Sequence, residues 1–143
     1  MTADVDEYAI LEEPPTVETF VALRSAAEMA PRSLEAVEAG LPNSTHAVTA
    51  VYEPTGEVVG MGRIVGDGAT VYHICDMAVH PDHQGRGIGS LLMDALWSFI
   101  DETAPEGAYV SLLADVDGFY ERFGFEETRP ASKGMYRRVE RTR

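Results

Sequence analysis

Apolar residues recur at helical spacing in the second half of the chain, and this is its clearest pattern. They fall three or four positions apart, at Ile88, Leu91, Leu92, Ala95, Leu96, Phe99 and Ile100. Residues at that spacing lie on one face of an α-helix. The pattern therefore predicts an amphipathic helix that buries one face and ends before Pro105 and Gly107.

Three shorter helices are predicted from capping residues and apolar spacing. Thr16 can cap a helix near the amino terminus, because its hydroxyl can accept a hydrogen bond from a free amide of the first turn. The apolar positions of this helix are Val17, Phe20, Val21 and Leu23. A second helix is expected over Ser33–Ala39, ending at Gly40. A brief third helix is expected at Asp117–Phe123.

Runs of β-branched and aromatic residues, separated by turn residues, predict the strands. Strands are expected at Asp6–Leu11, His46–Tyr52, Val58–Val65, Thr70–Val79, Ala108–Ala114, Phe125–Thr128 and Met135–Val139. The second and third form an antiparallel pair across a turn at residues 53–56, and Pro81 closes the fourth because proline lacks the amide that a ladder needs. No repeat or linker-like tract divides the chain, so residues 1–143 are predicted to form a single α+β domain.

Length and composition are those of a small soluble protein. The 143 residues suit one domain, and a hydrophobic fraction of 45% is ordinary. No apolar run reaches the length of about 18 residues that a membrane span needs. The amino terminus lacks the pattern of a secretory signal, and a lone cysteine, Cys75, fits a reducing compartment. We therefore expect a cytoplasmic protein that does not bind membranes.

The chain is strongly acidic, with a formal net charge of −13 at pH 7. A negative protein repels phosphate-rich polymers, so non-specific binding to nucleic acid is not expected. Solubility alone accounts for such a charge, and attraction of a cationic substrate is the second interpretation.

The most informative stretch is residues 77–90, MAVHPDHQGRGIGS. A strand leads into a glycine-rich turn, and the turn opens the long amphipathic helix. Glycine lets the backbone approach a ligand closely, and the first amides of a helix have no partner within it. The positive end of the helix dipole lies behind those amides. With Arg86 adding charge and His83 adding a donor, the turn is predicted to bind an anion.

Two common nucleotide-binding patterns do not fit this turn. A Walker A loop requires a lysine after its second glycine, and no lysine lies here. The dinucleotide fingerprint Gly-x-Gly-x-x-Gly, read from Gly85 and Gly87, places Ser90 where the third glycine belongs. A nucleotide-dependent oxidoreductase is therefore disfavoured.

The turn closely resembles the acetyl-CoA motif of GNAT N-acetyltransferases, Gln/Arg-x-x-Gly-x-Gly/Ala, which is met here by Gln84, Gly87 and Gly89. Residues 77–81 resemble the splayed fourth strand of that family. Residues 119–125, FYERFGF, resemble the family's last helix and its exit into the next strand. The resemblance implies the α+β GNAT fold: a mixed, mostly antiparallel sheet of about six or seven strands, flanked by about four helices, with a splayed fourth strand.

The resemblance also implies a reaction, in which an amine attacks the thioester of acetyl-CoA directly within a ternary complex. In the family, backbone groups of the fourth strand hold pantetheine, which here implies Met77, Ala78 and Val79. The Met77 amide would stabilise the oxyanion. The residues expected to bind the pyrophosphate are Gln84, Gly85, Arg86, Gly87, Ile88, Gly89 and Ser90.

Candidate acid and base residues follow from the same resemblance. Tyr120 matches the family's general acid, and a phenol with a pKa of about 10 can protonate a departing thiolate. The alternative is a core tyrosine on a short amphipathic helix. His73 lies four residues before Met77, where several members place a base; Asp76, a water chain, or a purely structural histidine are the alternatives. One departure is that residues 114–118 lack the asparagine with which many relatives contact pantetheine.

Other polar features receive simpler interpretations. His73, His80 and His83 do not have the spacing of metal ligands, so no metal is expected. Cys75 is expected to be a buried apolar residue rather than a nucleophile. The carboxyl-terminal arginines are expected to form a solvated tail, with a contact to a CoA phosphate left open; they are Arg137, Arg138, Arg141 and Arg143.

The acceptor is expected to be a small-molecule amine, as in the arylalkylamine-type pattern, or a protein amino group. Its identity would depend on the first two helices and on loops near Pro42–Ser44 and Pro130–Gly134. The net charge favours cationic amines over acceptors that carry a carboxylate or phosphate. A CoA-sensing domain without turnover is the alternative function, against which Tyr120 argues. A homodimer is left open.

Overall fold

The computed structural model describes residues 5–141, and the chain divides into two compact units, Met1–Leu112 and Leu113–Arg143. The described part of the first unit, residues 5–112, holds one five-stranded sheet and three α-helices. Its strands are β1 (Tyr8–Leu11), β2 (His46–Tyr52), β3 (Glu57–Gly66), β4 (Val71–Val79) and β5 (Tyr109–Ser111). Its α-helices are α1 (Val17–Ala26), α2 (Leu34–Gly40) and α3 (Ile88–Thr103).

The strands lie in the sheet in the order in which they occur along the chain. β1 to β4 pair antiparallel, whereas β4 and β5 are parallel. The parallel pairing joins Val71–His73 to Tyr109–Ser111 and extends no further. β5 ends at Ser111, whereas β4 continues for six residues beyond that pairing, up to Val79, and this end of β4 has no partner on the β5 side. This confirms the splayed fourth strand.

Side-chain caps begin the first two helices, at Thr16 as predicted and at Ser33, the first residue of the second predicted helix. The Thr16 hydroxyl accepts a hydrogen bond from the Thr19 amide at 3.1 Å, and the Ser33 hydroxyl accepts one from the Ala36 amide at 3.1 Å. Each such cap contributes about 1 kcal/mol to helix stability. The sequence pattern therefore placed the start of α1, and both ends of α2, to within one or two residues.

The two faces of the sheet are covered by different helices. A side chain at Gly60 or Gly62 would contact Leu92 or Leu96 of α3, at 3.2 and 3.0 Å from their Cδ1 atoms. Met61, between these glycines, packs instead in a buried cluster with residues of the α1 and α2 side: Phe20, Leu23, Val37, Leu41 and Ala78. Successive strand residues point to opposite faces, so α3 covers one face and α1 with α2 covers the other.

In the second unit, the only regular element among the described residues is a 3₁₀-helix, Tyr120–Phe123. The strands predicted at Phe125–Thr128 and Met135–Val139 are not formed, so residues 5–141 contain five strands and three α-helices rather than six or seven and four. Met135, Tyr136 and Val139 are all more than three-quarters exposed. A short apolar segment forms a stable strand only when a partner strand and a packing layer are available, and among the described residues this one has neither.

Smaller differences concern the edges of the sheet. The strand predicted at Asp6–Leu11 begins only at Tyr8, after a 3₁₀ turn over Val5–Glu7. The strand predicted at Ala108–Ala114 shortens to β5.

The tail arginines are exposed as far as Arg141, and Arg143 lies outside the described residues. Among residues 5–141, no helix combines the length and apolar character needed to cross a membrane.

Candidate functional site

A β-bulge interrupts β4 where it leaves β5. β3 pairs Met61 with Ala78 and Arg63 with Cys75, so Gly62 alone lies opposite two residues, Asp76 and Met77. Asp76 has a φ of 56°, in the left-handed region that a non-glycine residue adopts only at a cost of about 1–3 kcal/mol. A bulge of this kind redirects the backbone groups beside it. The candidate pantetheine residues 77–79 thus lie on a bulged segment whose outer edge is not paired to β5.

The glycine turn is attached to the end of this segment. Gln84 Nε2 donates a hydrogen bond to the Val79 carbonyl at 3.0 Å. Gly85 and Gly87 have φ values of 78° and 82°, so both need glycine's freedom to adopt positive φ. A Cβ atom at either position would meet nothing within 4 Å. The surface of the turn is therefore open space.

The amino terminus of α3 faces that open space. Its first backbone hydrogen bond runs from the Leu91 amide to the Gly87 carbonyl at 3.2 Å. The backbone amides that precede Leu91 therefore lie outside the helix's own ladder, and they carry the positive end of its dipole. Ile88 is buried at the start of the helix. The residues predicted to bind an anion lie together at this end of α3.

Arg86 is held in place by a residue from the other end of the first unit. Its Nη1 donates to the Tyr8 hydroxyl at 2.9 Å, and that hydroxyl lies 2.7 Å from His83 Nδ1. Since the hydroxyl accepts from Arg86, it can donate its own proton to His83. The Tyr52 ring packs on Tyr8 at 5.2 Å. β1 therefore fixes the candidate phosphate-binding arginine, a role for Tyr8 that no local sequence signal indicated.

Asp76 is the centre of a buried ionic cluster. Its Oδ1 accepts from Arg24 Nη1 at 2.5 Å, and its Oδ2 accepts from Arg63 Nε at 2.6 Å. Arg24 also donates to the Ala30 carbonyl, and Arg63 Nη1 donates to the Ser44 hydroxyl at 3.2 Å. Because both carboxylate oxygens already accept from guanidinium groups, Asp76 is arranged to hold the bulge rather than to take a proton.

His73 lies at the last paired position of β4, opposite Ser111. Its Nδ1 is 3.0 Å from the Ser111 hydroxyl. By the alternation of β4, His73 is on the same face as Cys75, which pairs with Arg63. The half-buried His73 thus lies on the α1 and α2 face, at the point where β4 and β5 begin to separate.

Tyr120 belongs to the second unit, at the start of the 3₁₀-helix. Its ring is buried and contacts Phe119 edge to face at 4.9 Å. Burial raises the pKa of the Tyr120 phenol above its usual value of about 10, and the negative charge of Asp115 raises it further. The hydroxyl therefore keeps its proton through the neutral range, as a general acid must.

Two features of the sequence remain: the lone cysteine and the possible metal ligands. Burial, followed by the charge of Asp76, raises the pKa of the Cys75 thiol to about 12, so it is protonated and unreactive at neutral pH. Within residues 5–141, no group of three histidine, cysteine or acidic side chains is arranged to hold a metal ion.

Comparison with known proteins gives one consistent family. Residues 43–127 match the acetyltransferase (GNAT) domain family. The uncharacterized N-acetyltransferase ycf52 of Pyropia yezoensis is 29% identical over 109 residues, which are 73% of this chain and 62% of that protein. The chloroplastic GCN5-related N-acetyltransferase 2 of Arabidopsis thaliana is 34% identical over 82 residues, 56% of this chain and 31% of that protein. The chain thus spans less than two thirds of these relatives.

Solved structures give the same result. A protein of meticillin-resistant Staphylococcus aureus, described as a probable acetyltransferase, superposes with a TM-score of 0.86 at 42% identity, covering 92% of this chain and 99% of that one. A GNAT family acetyltransferase of Brucella melitensis, solved in complex with acetyl-CoA, has a TM-score of 0.63 at 26% identity, covering 83% and 82% of the two chains.

Proposed function

Because the chain belongs to the GNAT acetyltransferase family, we propose that it transfers the acetyl group of acetyl-CoA to a primary amine by direct attack within a ternary complex. The observation that carries the proposal is the bulged end of β4, unpaired to β5 and continuous with an open glycine turn at the start of α3. A long cosubstrate with an anionic end needs such a combination of an open strand edge and helix-terminal amides.

Two kinds of interaction would bind acetyl-CoA, one at its pyrophosphate and one along its pantetheine. The amides that begin α3 and the Arg86 guanidinium would hold the pyrophosphate, and Tyr8 keeps Arg86 in place through its hydroxyl. Backbone groups of Met77, Ala78 and Val79 would bind the amide groups of pantetheine as an additional strand does. This arrangement would bring the thioester to the bulge at Asp76 and Met77.

At the bulge, the amine nitrogen attacks the thioester carbonyl carbon, and the C–S bond breaks as the tetrahedral intermediate collapses. The Met77 amide donates to the oxyanion, which stabilises the charge that develops there. Tyr120 gives its proton to the departing CoA thiolate. We assign removal of the amine's proton to His73, directly or through water. If His73 Nδ1 donates to Ser111, Nε2 is free to accept that proton.

The cosubstrate itself provides the first test. Acetyl-CoA at about 100 times its Kd should stabilise the protein by about 2.7 kcal/mol, seen as a rise in Tm, whereas NAD should give no comparable shift. The stabilisation should fall as salt rises, because phosphates meet charged groups. Arg86→Gln should reduce the shift for acetyl-CoA. An equal or larger shift with NAD would contradict the acetyltransferase proposal, and binding without acetyl transfer to any amine would favour a CoA-sensing domain.

Replacement of the proposed base gives a smaller effect. His73→Ala should lower kcat/KM for the amine by about tenfold at low pH and less at high pH, because a base matters most where the free amine is scarce. The pH profile of acetyl-CoA-dependent thiol release measures this directly. Ser111→Ala, which removes only the hydrogen-bond partner, should have a weaker effect of the same kind. A loss that is equal at every pH would assign His73 a structural role.

A further inference from the structure

Two side chains beside the glycine turn, Arg86 and His83, meet at one hydroxyl. The Tyr8 hydroxyl accepts a hydrogen bond from Arg86 Nη1 at 2.9 Å, and it lies 2.7 Å from His83 Nδ1. Tyr8 begins β1 and precedes His83 by 75 residues, so the fold and not the local sequence creates these contacts. The positions of both side chains therefore depend on a single atom of Tyr8.

Ring contacts hold the hydroxyl in place. The register of the sheet sets Tyr8 opposite Tyr52, the last residue of β2, and their ring centres are 5.2 Å apart. The His83 ring lies 5.6 Å from the Tyr8 ring, edge to face, and 5.0 Å from the Tyr52 ring. Tilted and edge-to-face pairs at such separations are the arrangements that aromatic rings prefer. The three rings thus pack against one another, which restricts the movement of both Tyr8 and His83.

The burial of Tyr8 decides which tautomer His83 adopts. Tyr8 is only 7% exposed, so its hydroxyl proton needs an acceptor within the protein. A guanidinium has donors and no acceptor, so Arg86 cannot receive that proton. Among the described residues, the acceptor within hydrogen-bond distance is His83 Nδ1. Because an accepting Nδ1 carries no proton, neutral His83 has its proton on Nε2.

Both side chains keep donors for a ligand. The contact of His83 with the Tyr8 hydroxyl uses Nδ1, which leaves the Nε2 proton, and the ring is only half-buried. Arg86 is also half-buried, and it spends one of the five N–H donors of a guanidinium on Tyr8. The adjacent turn is open, because a Cβ at Gly85 or Gly87 would meet nothing within 4 Å. Two fixed donors therefore lie beside open space at the start of α3.

We propose that Tyr8 positions Arg86 and His83 as a pair of donors to the pyrophosphate of acetyl-CoA, with His83 donating through Nε2. The inference rests on the proposed acetyl transfer. It adds His83 to the cosubstrate-binding residues and makes Tyr8 a positioning residue, which acts through the other two and touches no substrate. Donors that are fixed before the ligand arrives lose less conformational entropy on binding, so the Tyr8 hydroxyl lowers the Kd of acetyl-CoA.

Tyr8→Phe tests the inference, because it keeps the ring and removes only the hydroxyl. The Kd of acetyl-CoA, measured by calorimetric titration, should rise about tenfold, whereas kcat at saturating acetyl-CoA should change less than about twofold. Tyr72→Phe is the matched control, since Tyr72 is 1% exposed and its hydroxyl donates to the Gly68 carbonyl at 2.8 Å. This control should bind acetyl-CoA as the unaltered protein does. An unchanged Kd in Tyr8→Phe, or equal weakening in both variants, would overturn the inference.

Truncated cosubstrates identify the group that is recognised. S-acetylpantetheine keeps the thioester but has no phosphate, so Tyr8→Phe should change its kcat/KM by less than about twofold, against about tenfold for acetyl-CoA. Acetyl-dephospho-CoA keeps the pyrophosphate and lacks the ribose phosphate, and it should lose as much as acetyl-CoA. An equal loss with S-acetylpantetheine would mean that Tyr8 is merely structural. Loss of the effect with acetyl-dephospho-CoA would assign the donors to the ribose phosphate and overturn the inference.

His83→Phe tests the second donor, because it keeps a ring beside Tyr8 and Tyr52 and removes both nitrogens. The Kd of acetyl-CoA should rise about tenfold. Adding Tyr8→Phe to the double variant Arg86→Gln, His83→Phe should weaken binding by less than about twofold, since the hydroxyl then has no donor to position. Normal binding by His83→Phe, or a further large loss on adding Tyr8→Phe, would contradict the inference.

The tautomer of His83 gives a spectroscopic test on the unaltered protein. At a pH where histidine is neutral, ¹⁵N chemical shifts should place the proton on Nε2, and Tyr8→Phe should let the other tautomer appear. A proton on Nδ1 in the unaltered protein would overturn the inference, and this measurement still decides if Tyr8→Phe does not fold. Absence of both acetyl transfer and thermal stabilisation by acetyl-CoA would overturn the proposed function as well, whereas the other contrary outcomes leave it standing.

Discussion

We expect Tyr120→Phe to lower kcat by about 100-fold while the affinity for acetyl-CoA stays almost unchanged. The substitution keeps the buried ring and its contact with Phe119 but removes the only proton that the side chain can give. Loss of a general acid costs about 10²–10⁴-fold, because the thiolate must then leave unprotonated or take its proton from water. Steady-state thiol release gives kcat, and calorimetric titration gives the affinity.

The pH dependence of this effect has a definite sign. The pKa of Tyr120 is raised, by burial first and then by Asp115, so the proton-bearing form is complete at neutral pH and is lost only above about pH 10. Any alkaline fall in kcat caused by Tyr120 should therefore lie above about pH 10 and be absent from Tyr120→Phe. Tyr109→Phe, at an exposed tyrosine of β5, is the matched control and should behave as the unaltered protein. Full turnover by Tyr120→Phe at every pH would remove Tyr120 from the mechanism.

The parts of the fold that the sequence predicted well are those whose signals are local. The caps at Thr16 and Ser33 act within three residues, and the apolar spacing of α3 repeats over four turns. The glycine turn is likewise a local pattern, since the need for positive φ falls on the glycines themselves. Such features depend little on the rest of the chain, so the sequence alone was sufficient to locate the glycine turn, whereas pyrophosphate binding there stays a prediction.

The parts that it missed are contacts between distant positions. Tyr8 and Arg86 are separated by 78 residues, and Arg24 and Asp76 by 52. A tyrosine at the start of a strand and an arginine on the first helix are ordinary surface residues until the fold brings them to the site. For this reason the sequence alone made Asp76 a candidate base. In the structure both of its carboxylate oxygens accept from arginines, which favours a structural role.

The preference for cationic amines, which was drawn from net charge, stays a prediction. Twenty-four acidic residues against 11 basic ones describe the average surface, but the interaction of a ligand depends on the few charges within about one Debye length, roughly 8 Å in physiological salt. Around Asp76 the local excess is positive. The strand predicted at Met135–Val139 is absent for a different reason: residue types show what a strand would need, not whether a partner strand is present.

We expect Gly87→Val to weaken acetyl-CoA binding by about 100-fold or more. Gly87 has a φ of 82°, which a β-branched residue avoids, so the backbone that begins α3 must change its conformation. The amides that follow would then no longer converge on one anion, and the valine methyl groups would occupy the open space above the turn. Loss of one or two charged hydrogen bonds is enough for an effect of this size. Calorimetric titration of acetyl-CoA measures it.

Strain alone would also destabilise the protein, and a second glycine separates the two effects. Gly56, in the turn between β2 and β3, has a φ of 76°, and a Cβ there would also meet nothing within 4 Å. Gly56→Val therefore imposes a comparable backbone strain away from α3, and both variants should lose a few degrees of Tm. Only Gly87→Val should lose acetyl-CoA. Equal weakening in both would mean that the loss is a general consequence of instability, and normal binding by a folded Gly87→Val would show that the turn does not bind the pyrophosphate.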